Sequence, residues 1–213
     1  MIKAIIFDFD GVIIESADIK TEAFRQLFED RFPNNVDQIV DYHKKNMGIS
    51  RFVKFKHIYK AFAQKVLKKE EETKLGEEFS KIVYDQVLET PMVLGAIEFL
   101  KENQKKYSLF VASGTPEQEL LDIVKRRYLS RYFIEILGSP EEKADIIQNI
   151  MKKYGFQKSE IVFVGDAESD FKAASATGVH FVAKITKGLS DLAQCKNRIF
   201  DLSQLNRILN QLK

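Results

Sequence analysis

Short apolar runs alternate with longer amphipathic stretches over much of the chain. The apolar runs are Ala4–Phe9, Ser108–Ala112, Phe133–Leu137, Ile161–Val164 and Phe181–Ala183. Runs of this length, bounded by turn residues, are typical of strands that are buried on both faces. Helical patterns fill the intervals between the later runs, over Val93–Lys105, Pro116–Arg127, Glu141–Tyr154 and Glu168–Thr177. Strands that alternate with helices predict an α/β fold with a doubly wound, mostly parallel sheet.

The segment from residue 16 to residue 89 departs from this alternation. It contains no convincing strand, and its apolar stripes have helical spacing, as in Phe24, Leu27 and Phe28. We therefore expect a catalytic core formed by residues 1–15 and 90–213, with a helical cap domain, residues 16–89, inserted into it. An insertion after the first strand lies above the carboxyl end of the sheet, where open α/β sheets bind ligands, so it can act as a lid.

The composition and charge exclude several classes of protein. The 33 basic and 31 acidic residues leave a net charge of +2, so no bulk electrostatic attraction to nucleic acid is expected. Cys195 is the only cysteine, which excludes an internal disulfide framework. Asp8 interrupts the first apolar run too early for a signal peptide or a membrane span. These features predict a cytoplasmic protein without a nucleic-acid or membrane partner, and they leave its oligomeric state open.

Two carboxylates close the first apolar run. Asp8 and Asp10 are two positions apart, so their side chains leave a strand on the same side. Adjacent buried carboxylates repel each other, and a divalent cation is the expected compensation. Gly11 then allows the backbone to turn sharply. This arrangement suggests a nucleophile paired with a proton donor.

The ends of the later strands and the helices that follow them add complementary polar groups. These groups are Ser113, Gly114 and Thr115 after the second run, Lys143 at the opening of a helix, and Asp166 and Asp170 after the fourth run. A hydroxyl and a flexible backbone N–H before a helix can hold an anionic oxygen. Carboxylates are hard oxygen ligands that suit Mg²⁺, which binds them together with phosphate groups. Each residue alone would more often be a helix cap or a surface side chain, but the whole set at successive strand ends favours a phosphate site.

At these residues the chain resembles the haloacid dehalogenase-like superfamily, with all four of its motifs in order. The motifs are Asp8-Phe9-Asp10-Gly11-Val12, then Ser113-Gly114-Thr115, then Lys143, then Gly165-Asp166 with Asp170. The resemblance implies a Rossmann-like core with an inserted helical cap. The position of the insert is similar to that in the branch containing phosphoglycolate phosphatases, beta-phosphoglucomutases and phosphonoacetaldehyde hydrolases.

The resemblance also implies roles for the residues of these motifs. Asp8 would attack phosphorus and form an aspartyl-phosphate, while Asp10 would act first as general acid and then as general base. Mg²⁺ would be held by the Asp8 carboxylate, the Asp10 backbone carbonyl and Asp166, with Asp170 helping directly or through water. The phosphoryl oxygens would be neutralised by Ser113, Lys143 and the N–H of Gly114, with Thr115 on the same substrate-binding loop.

Some branches of the superfamily fit less well than others. Haloacid dehalogenases lack an acid two residues after the nucleophile, so Asp10 favours phosphoryl transfer. Phosphonoacetaldehyde hydrolases form a Schiff base with a lysine at the position of Arg51, and arginine cannot do so because it stays protonated. Beta-phosphoglucomutases have a similar Gly-x-Ser-Arg sequence in the cap. They usually place a lysine where this chain has Met47, and a histidine where Lys20 aligns.

The sequence therefore predicts a magnesium-dependent phosphatase of a small phosphorylated metabolite, of the sugar phosphate or phosphoglycolate class. A sugar phosphomutase stays open as an alternative, because Arg51 could grip a phosphate or could simply be a surface residue at the start of a helix. A non-catalytic receiver-like protein also stays open, since receiver domains place acids, a hydroxyl and a lysine around magnesium. Asp10 argues against that last reading, because a proton shuttle would hydrolyse the phosphoaspartate.

Overall fold

The computed structural model describes residues 1–185 and 192–212, and these residues form a six-stranded sheet in the order β3-β2-β1-β4-β5-β6. The strands are β1 (Ala4–Phe7), β2 (Ser108–Pro116), β3 (Glu135–Ser139), β4 (Ile161–Gly165), β5 (His180–Lys184) and β6 (Arg198–Ile199). Neighbouring strands pair in parallel throughout the sheet. The predicted α/β fold with a parallel sheet is confirmed.

Nine α-helices accompany the sheet within the described part of the chain. They are α1 (Ala17–Phe28), α2 (Val36–Lys45), α3 (Arg51–Phe62), α4 (Lys69–Glu89), α5 (Ala96–Asn103), α6 (Glu117–Arg126), α7 (Lys143–Tyr154), α8 (Glu168–Thr177) and α9 (Leu205–Gln211). Helices α1–α4 follow one another between β1 and β2, and we call residues 16–89 the helical insert. None of the helices within residues 1–185 and 192–212 is long and apolar enough to cross a membrane.

The sheet is buried on both faces, which explains its continuous apolar strands. Ile5 and Phe7 belong to one apolar cluster, which also holds residues of α5, α6 and the insert. Ala4 and Ile6 belong to a second cluster, with residues of α7 and α8. Because successive strand residues point to opposite faces, a strand between two layers of helices needs apolar residues at every position.

The observed elements differ from the predicted ones mainly at their ends. Strand β2 runs on to Pro116, with an irregular register against β3 between Ala112 and Pro116. Pro116 therefore ends a strand and caps α6, whereas the sequence predicted it inside the first helical turn. Strand β6 and helix α9 lie outside the predicted set, since a two-residue strand and a seven-residue helix carry little periodic signal.

The chain enters and leaves the helical insert at one place. Ile14 and Met92 form an antiparallel bridge, the Glu15 N–H donates to the Pro91 carbonyl at 3.0 Å, and the Val93 N–H donates to the Ile13 carbonyl at 3.0 Å. The two connections thus lie side by side next to the end of β1. The helices between them are positioned over that edge of the sheet.

Candidate active site

The register of the three central strands brings the candidate residues to one edge of the sheet. Phe7, the last residue of β1, lies beside Val111 of β2 and Val164 of β4. The residues that follow in each strand therefore meet at the carboxyl edge. The buried candidates are Asp8, Ser113, Thr115, Lys143, Asp166 and Asp170 from the sheet and its helices, and Arg51 from the insert.

Asp8 is held by its neighbours in a nearly water-free position. Its side chain is 2% exposed, its Oδ1 accepts a hydrogen bond from the Phe9 N–H at 2.7 Å, and its Oδ2 lies 3.0 Å from the Lys143 Nζ. Burial raises the pKa of Asp8 to about 7. The negative charges of Asp170 and Asp10 raise this pKa further, whereas the positive charge of Lys143 lowers it. The carboxyl group thus depends on nearby cations to stay ionised at neutral pH.

Lys143, at the start of α7, bridges two carboxylates. Its Nζ also lies 2.5 Å from the Asp170 Oδ1. Burial alone would lower the pKa of this lysine, but the charges of Asp170 and Asp8 outweigh burial and raise it. The Asp170 Oδ2 in turn accepts a hydrogen bond from the Ala167 N–H at 3.0 Å. Lys143 is therefore a permanent cation beside Asp8.

Three acids form a cluster that could hold a divalent cation. Carboxylate oxygens of Asp8, Asp166 and Asp170 all lie within 4.8 Å of one another. The Asp166 Oδ2 is buried without a hydrogen-bond partner in the described structure, and burial and the other two charges raise the Asp166 pKa well above its usual range. A Cβ atom at Gly11, where φ is +78°, would lie 2.0 Å from that oxygen. An orphaned oxygen among hard donors fits a divalent cation.

Asp10 is part of a separate hydrogen-bond network rather than of the acid cluster. Its carboxylate accepts from the Ser16 Oγ at 2.5 Å, from the Thr115 Oγ1 at 2.9 Å and from the Lys20 Nζ. Burial would raise the pKa of Asp10, but the Lys20 charge and the three hydrogen bonds together lower it. The Thr115 hydroxyl also accepts from the Lys20 Nζ at 2.7 Å. Asp10 is thus held ionised, and the hydroxyl of Thr115 is engaged with it.

The sequence analysis missed Ser16 and Lys20 as parts of this network. Ser16 precedes α1 and Lys20 lies on its first turn, four residues later. Residues with this spacing share a helix face, which was the available signal. Lys20 entered the analysis only as the residue aligned with a mutase histidine.

The helical insert contacts the carboxyl edge of the sheet through the loop of residues 46–50. The Ser169 Oγ donates to the Met47 carbonyl at 2.9 Å. A Cβ atom at Gly114 would lie 2.5 Å from the Gly48 carbonyl oxygen, so the two backbones are in close contact. A partly open cavity between the insert and the core, lined by Asp8, Ser113 and residues of the insert, has a volume of about 60 Å³. Such a space admits only a few water molecules or a small ligand.

Arg51 is buried, which excludes the alternative of a surface residue, while its contact with a substrate phosphate stays a prediction. It begins α3 as expected, but it is 5% exposed and its guanidinium lies over the Phe79 ring, 4.5 Å from the centroid. Its two terminal nitrogens lie 2.5 and 3.0 Å from the carboxylate oxygens of Glu119, on α6. Ser80 bonds to both partners. Arg51 therefore joins the insert to the core, and the sequence analysis did not identify its partners.

Neutralising Glu119 tests how much this buried ion pair contributes. We expect Glu119→Gln to lower the free energy of unfolding by about 3 kcal/mol, because it leaves a buried guanidinium without its counter-charge. The matched control is Asp37→Asn, which breaks the Arg25–Asp37 pair, whose side chains are 38% and 83% exposed. That change should cost about 0–1 kcal/mol. Urea titrations followed by circular dichroism measure both, and equal losses would show that the Arg51 pair is no stronger than a surface pair.

A second group of insert residues, Lys54 on α3 and His43 on α2, also lines the cavity. Both are buried, and the Lys54 Nζ lies 3.2 Å from the His43 Nδ1. Burial lowers the pKa of His43 to about 2 and that of Lys54 to about 7, with the charge of Lys20 adding to both effects. These residues come from different helices, so no local sequence pattern could predict their contact.

Comparison with known proteins shows that the chain is similar to hydrolases over most of its length. A family model described as haloacid dehalogenase-like hydrolase matches residues 5–184. The chain is 25% identical to a phosphorylated carbohydrates phosphatase from Thermotoga maritima, over 99% of this chain and 98% of that protein. It is 25% identical to a phosphoglycolate phosphatase from Aliivibrio fischeri, over 85% and 83% of the two chains. A solved beta-phosphoglucomutase from Clostridium difficile has a similar fold, with a TM-score of 0.81, 19% identity and coverage of 100% and 97%.

Proposed function

Because the chain belongs to the haloacid dehalogenase-like hydrolase family, we propose that it is a magnesium-dependent phosphatase of a small phosphorylated metabolite. The substrate is of the sugar phosphate or phosphoglycolate class, in keeping with the names of the two relatives. One observation carries the proposal: a buried Asp8 carboxylate lies beside Lys143 and two further acids, while Asp10 is held apart from them by its own donors.

Asp8 is the proposed nucleophile. One carboxylate oxygen forms a bond to phosphorus while the bond from phosphorus to the leaving oxygen breaks, which gives an aspartyl-phosphate. Asp10 protonates the leaving oxygen and then accepts a proton from the water that hydrolyses the intermediate. The lowered pKa of Asp10 favours the ionised form, which accepts the proton from water in the second step. For the first step its carboxylate must already have taken up a proton, from solvent or from the preceding turnover. Ser16, Lys20 and Thr115 hold its carboxylate in place throughout.

The phosphoryl oxygens are held by groups from strand β2 and from the start of helix α7. Ser113, the Gly114 N–H and Lys143 donate to these oxygens as charge spreads over them. Asp8, Asp166 and Asp170 would hold a Mg²⁺ ion, with the Asp10 backbone carbonyl as a further proposed ligand. When bound, the cation neutralises charge on the phosphoryl group. The helical insert, residues 16–89, is the proposed cap domain that excludes water from this site.

A panel assay tests the proposed activity. Purified protein with Mg²⁺ should release inorganic phosphate from a generic aryl phosphate and, faster, from at least one member of a panel of phosphorylated metabolites. Hydrolysis of none of them would reject the proposal. Failure to hydrolyse, together with a long-lived phosphoaspartate after treatment with acetyl phosphate, would instead favour the receiver-like alternative.

The mutase alternative has less support. Arg51, the residue that would grip a sugar phosphate, has its guanidinium engaged by Glu119, and Lys20 occupies the position of the usual histidine. Incubation with a hexose 1-phosphate and a bisphosphate primer separates the two functions. Release of free phosphate supports the phosphatase, whereas isomerised product without free phosphate would support the mutase.

A further inference from the structure

Lys54 pairs with no acid in the described structure, and its pKa, lowered by burial to about 7, leaves it only partly charged until an anion lies beside it. Its side chain is nearly buried, at 3% exposure for the residue, and it lines the same cavity as Asp8. Its described partners are the His43 Nδ1, at 3.2 Å, and the ring of Phe24, with the Nζ 5.3 Å from the centroid. Neither partner carries a negative charge. A buried ammonium group without a counter-charge is costly unless something else supplies one.

The other cations near Lys54 are already matched with acids. The groups whose charges act on it are Lys20, Lys143, Arg51 and Asp10. Lys20 bonds to Asp10, and Arg51 is held by Glu119. Lys143 lies between Asp8 and Asp170. Lys54 is therefore the cavity cation that remains available for a negative group, within residues 1–185 and 192–212.

His43 contacts Lys54 through one ring nitrogen, the Nδ1, which lies 3.2 Å from the Lys54 Nζ. Its lowered pKa makes the ring neutral, and its Nδ1 faces an ammonium group, which can only donate. The ring proton is then on Nε2, which is buried and has no hydrogen-bond partner in the described structure. The ring of Phe24 packs against the imidazole, with 4.1 Å between centroids, and holds it in place. The Nε2–H, on the far side of the ring, points away from Lys54, so His43 orients the Lys54 Nζ and does not add a donor for the same ligand.

We infer that Lys54, positioned by His43, binds a second anionic group of the substrate, distinct from the phosphoryl group that reacts at Asp8. The inference rests on the proposed phosphatase function and narrows it. The substrate is a phosphorylated acid or a bisphosphate, rather than the phosphate ester of a neutral alcohol. Because Lys54 and Asp8 line one cavity, we expect the two anionic groups of the substrate to be only a few bonds apart.

Matched pairs of substrates test the inference. One pair is 2-phosphoglycolate and 2-hydroxyethyl phosphate, which differ in a distal carboxylate; the other is propane-1,3-diol bisphosphate and its monophosphate. We expect kcat/KM to be about 10- to 100-fold higher for the anionic member of at least one pair, the range of a hydrogen bond to a charged group. The pair that shows the preference identifies the anionic group as carboxylate or phosphate.

Two variants assign the preference to Lys54. In Lys54→Met the ratio between the two members of the preferred pair should fall to near 1, because methionine keeps the length but removes the charge. Lys60→Met, an exposed position on the same helix, should keep the wild-type ratio. A wild-type enzyme that favours the neutral members, or an unchanged ratio in Lys54→Met, would overturn the inference while leaving the phosphatase function in place.

A binding measurement separates this inference from the proposed activity. Calorimetric titration of the inactive Asp8→Asn variant with each member of a pair, in the presence of Mg²⁺, needs no turnover. The anionic member should bind about 10-fold or more tightly than the neutral one, and Lys54→Met in the same background should remove the difference. Equal binding of both members would contradict the inference, whatever the activity assays show.

Discussion

Replacing Asp8 by asparagine is expected to reduce turnover by about 10⁴-fold or more, the effect of removing a nucleophile that forms a covalent intermediate. An amide cannot attack phosphorus in its place, and the rest of the site stays as it was. The variant should not be less stable, because it removes a buried carboxyl group from beside Asp166 and Asp170. Steady-state kinetics and thermal unfolding measure the two effects.

The control is Asp18→Asn, which makes the same chemical change at an exposed position at the start of α1. It should leave kcat within about twofold of wild type, since surface substitutions away from a site have small effects. Retained activity in Asp8→Asn would remove Asp8 from the role of nucleophile. Lost activity accompanied by an unfolded circular dichroism spectrum would show that this residue is needed for the fold instead.

Removal of the divalent cation should have the second largest effect. With a chelator present, we expect activity to fall by about 100-fold or more, because the cation stabilises the charge of the reacting phosphoryl group. Mg²⁺ should also stabilise the fold, by about 2.7 kcal/mol at a free concentration 100 times its dissociation constant. The reason is that the acids of the cluster repel one another until a cation binds among them.

The Asp166→Asn variant tests whether the stabilisation by Mg²⁺ depends on the acid cluster. The variant should lose the stabilisation by Mg²⁺, and without Mg²⁺ it should be at least as stable as wild type, because the Asp166 carboxylate is buried without a partner. Glu168→Gln is the matched control, since Glu168 is exposed two residues away and should keep the full response. Full activity in the chelator, or an unchanged response in Asp166→Asn, would reject the metal-dependent proposal.

The sheet and its acids could be predicted from the sequence because their signals are local. Apolar runs such as Ile161–Val164 identify buried strands, and parallel strands bring their carboxyl ends to one edge. Asp8 and Asp166 follow such runs directly or after a single glycine, so the sequence alone predicts that they lie close together. Strand β6 escaped prediction, because two residues are too few to form a recognisable run.

The contribution of the insert could not be predicted in the same way. His43 and Lys54 come from different helices, and Arg51 meets Glu119 across 68 positions of the chain. Amphipathic periodicity shows which face of each helix is buried, but it does not show which helix will pack there. Contacts between polar side chains of the insert and the core depend on that packing. These contacts can therefore be identified only from the three-dimensional structure.

The bridge between Ile14 and Met92 has an evolutionary consequence. An insertion whose ends lie side by side is, in topological terms, a long loop, and doubling the length of a loop costs only about 0.6 kcal/mol of closure entropy. Helices can be gained, lost or exchanged there without any change in the strand order of the sheet. The acids that we propose carry the reaction belong to the core, while Lys54 belongs to the insert. Chemistry and substrate preference can therefore diverge independently within one chain.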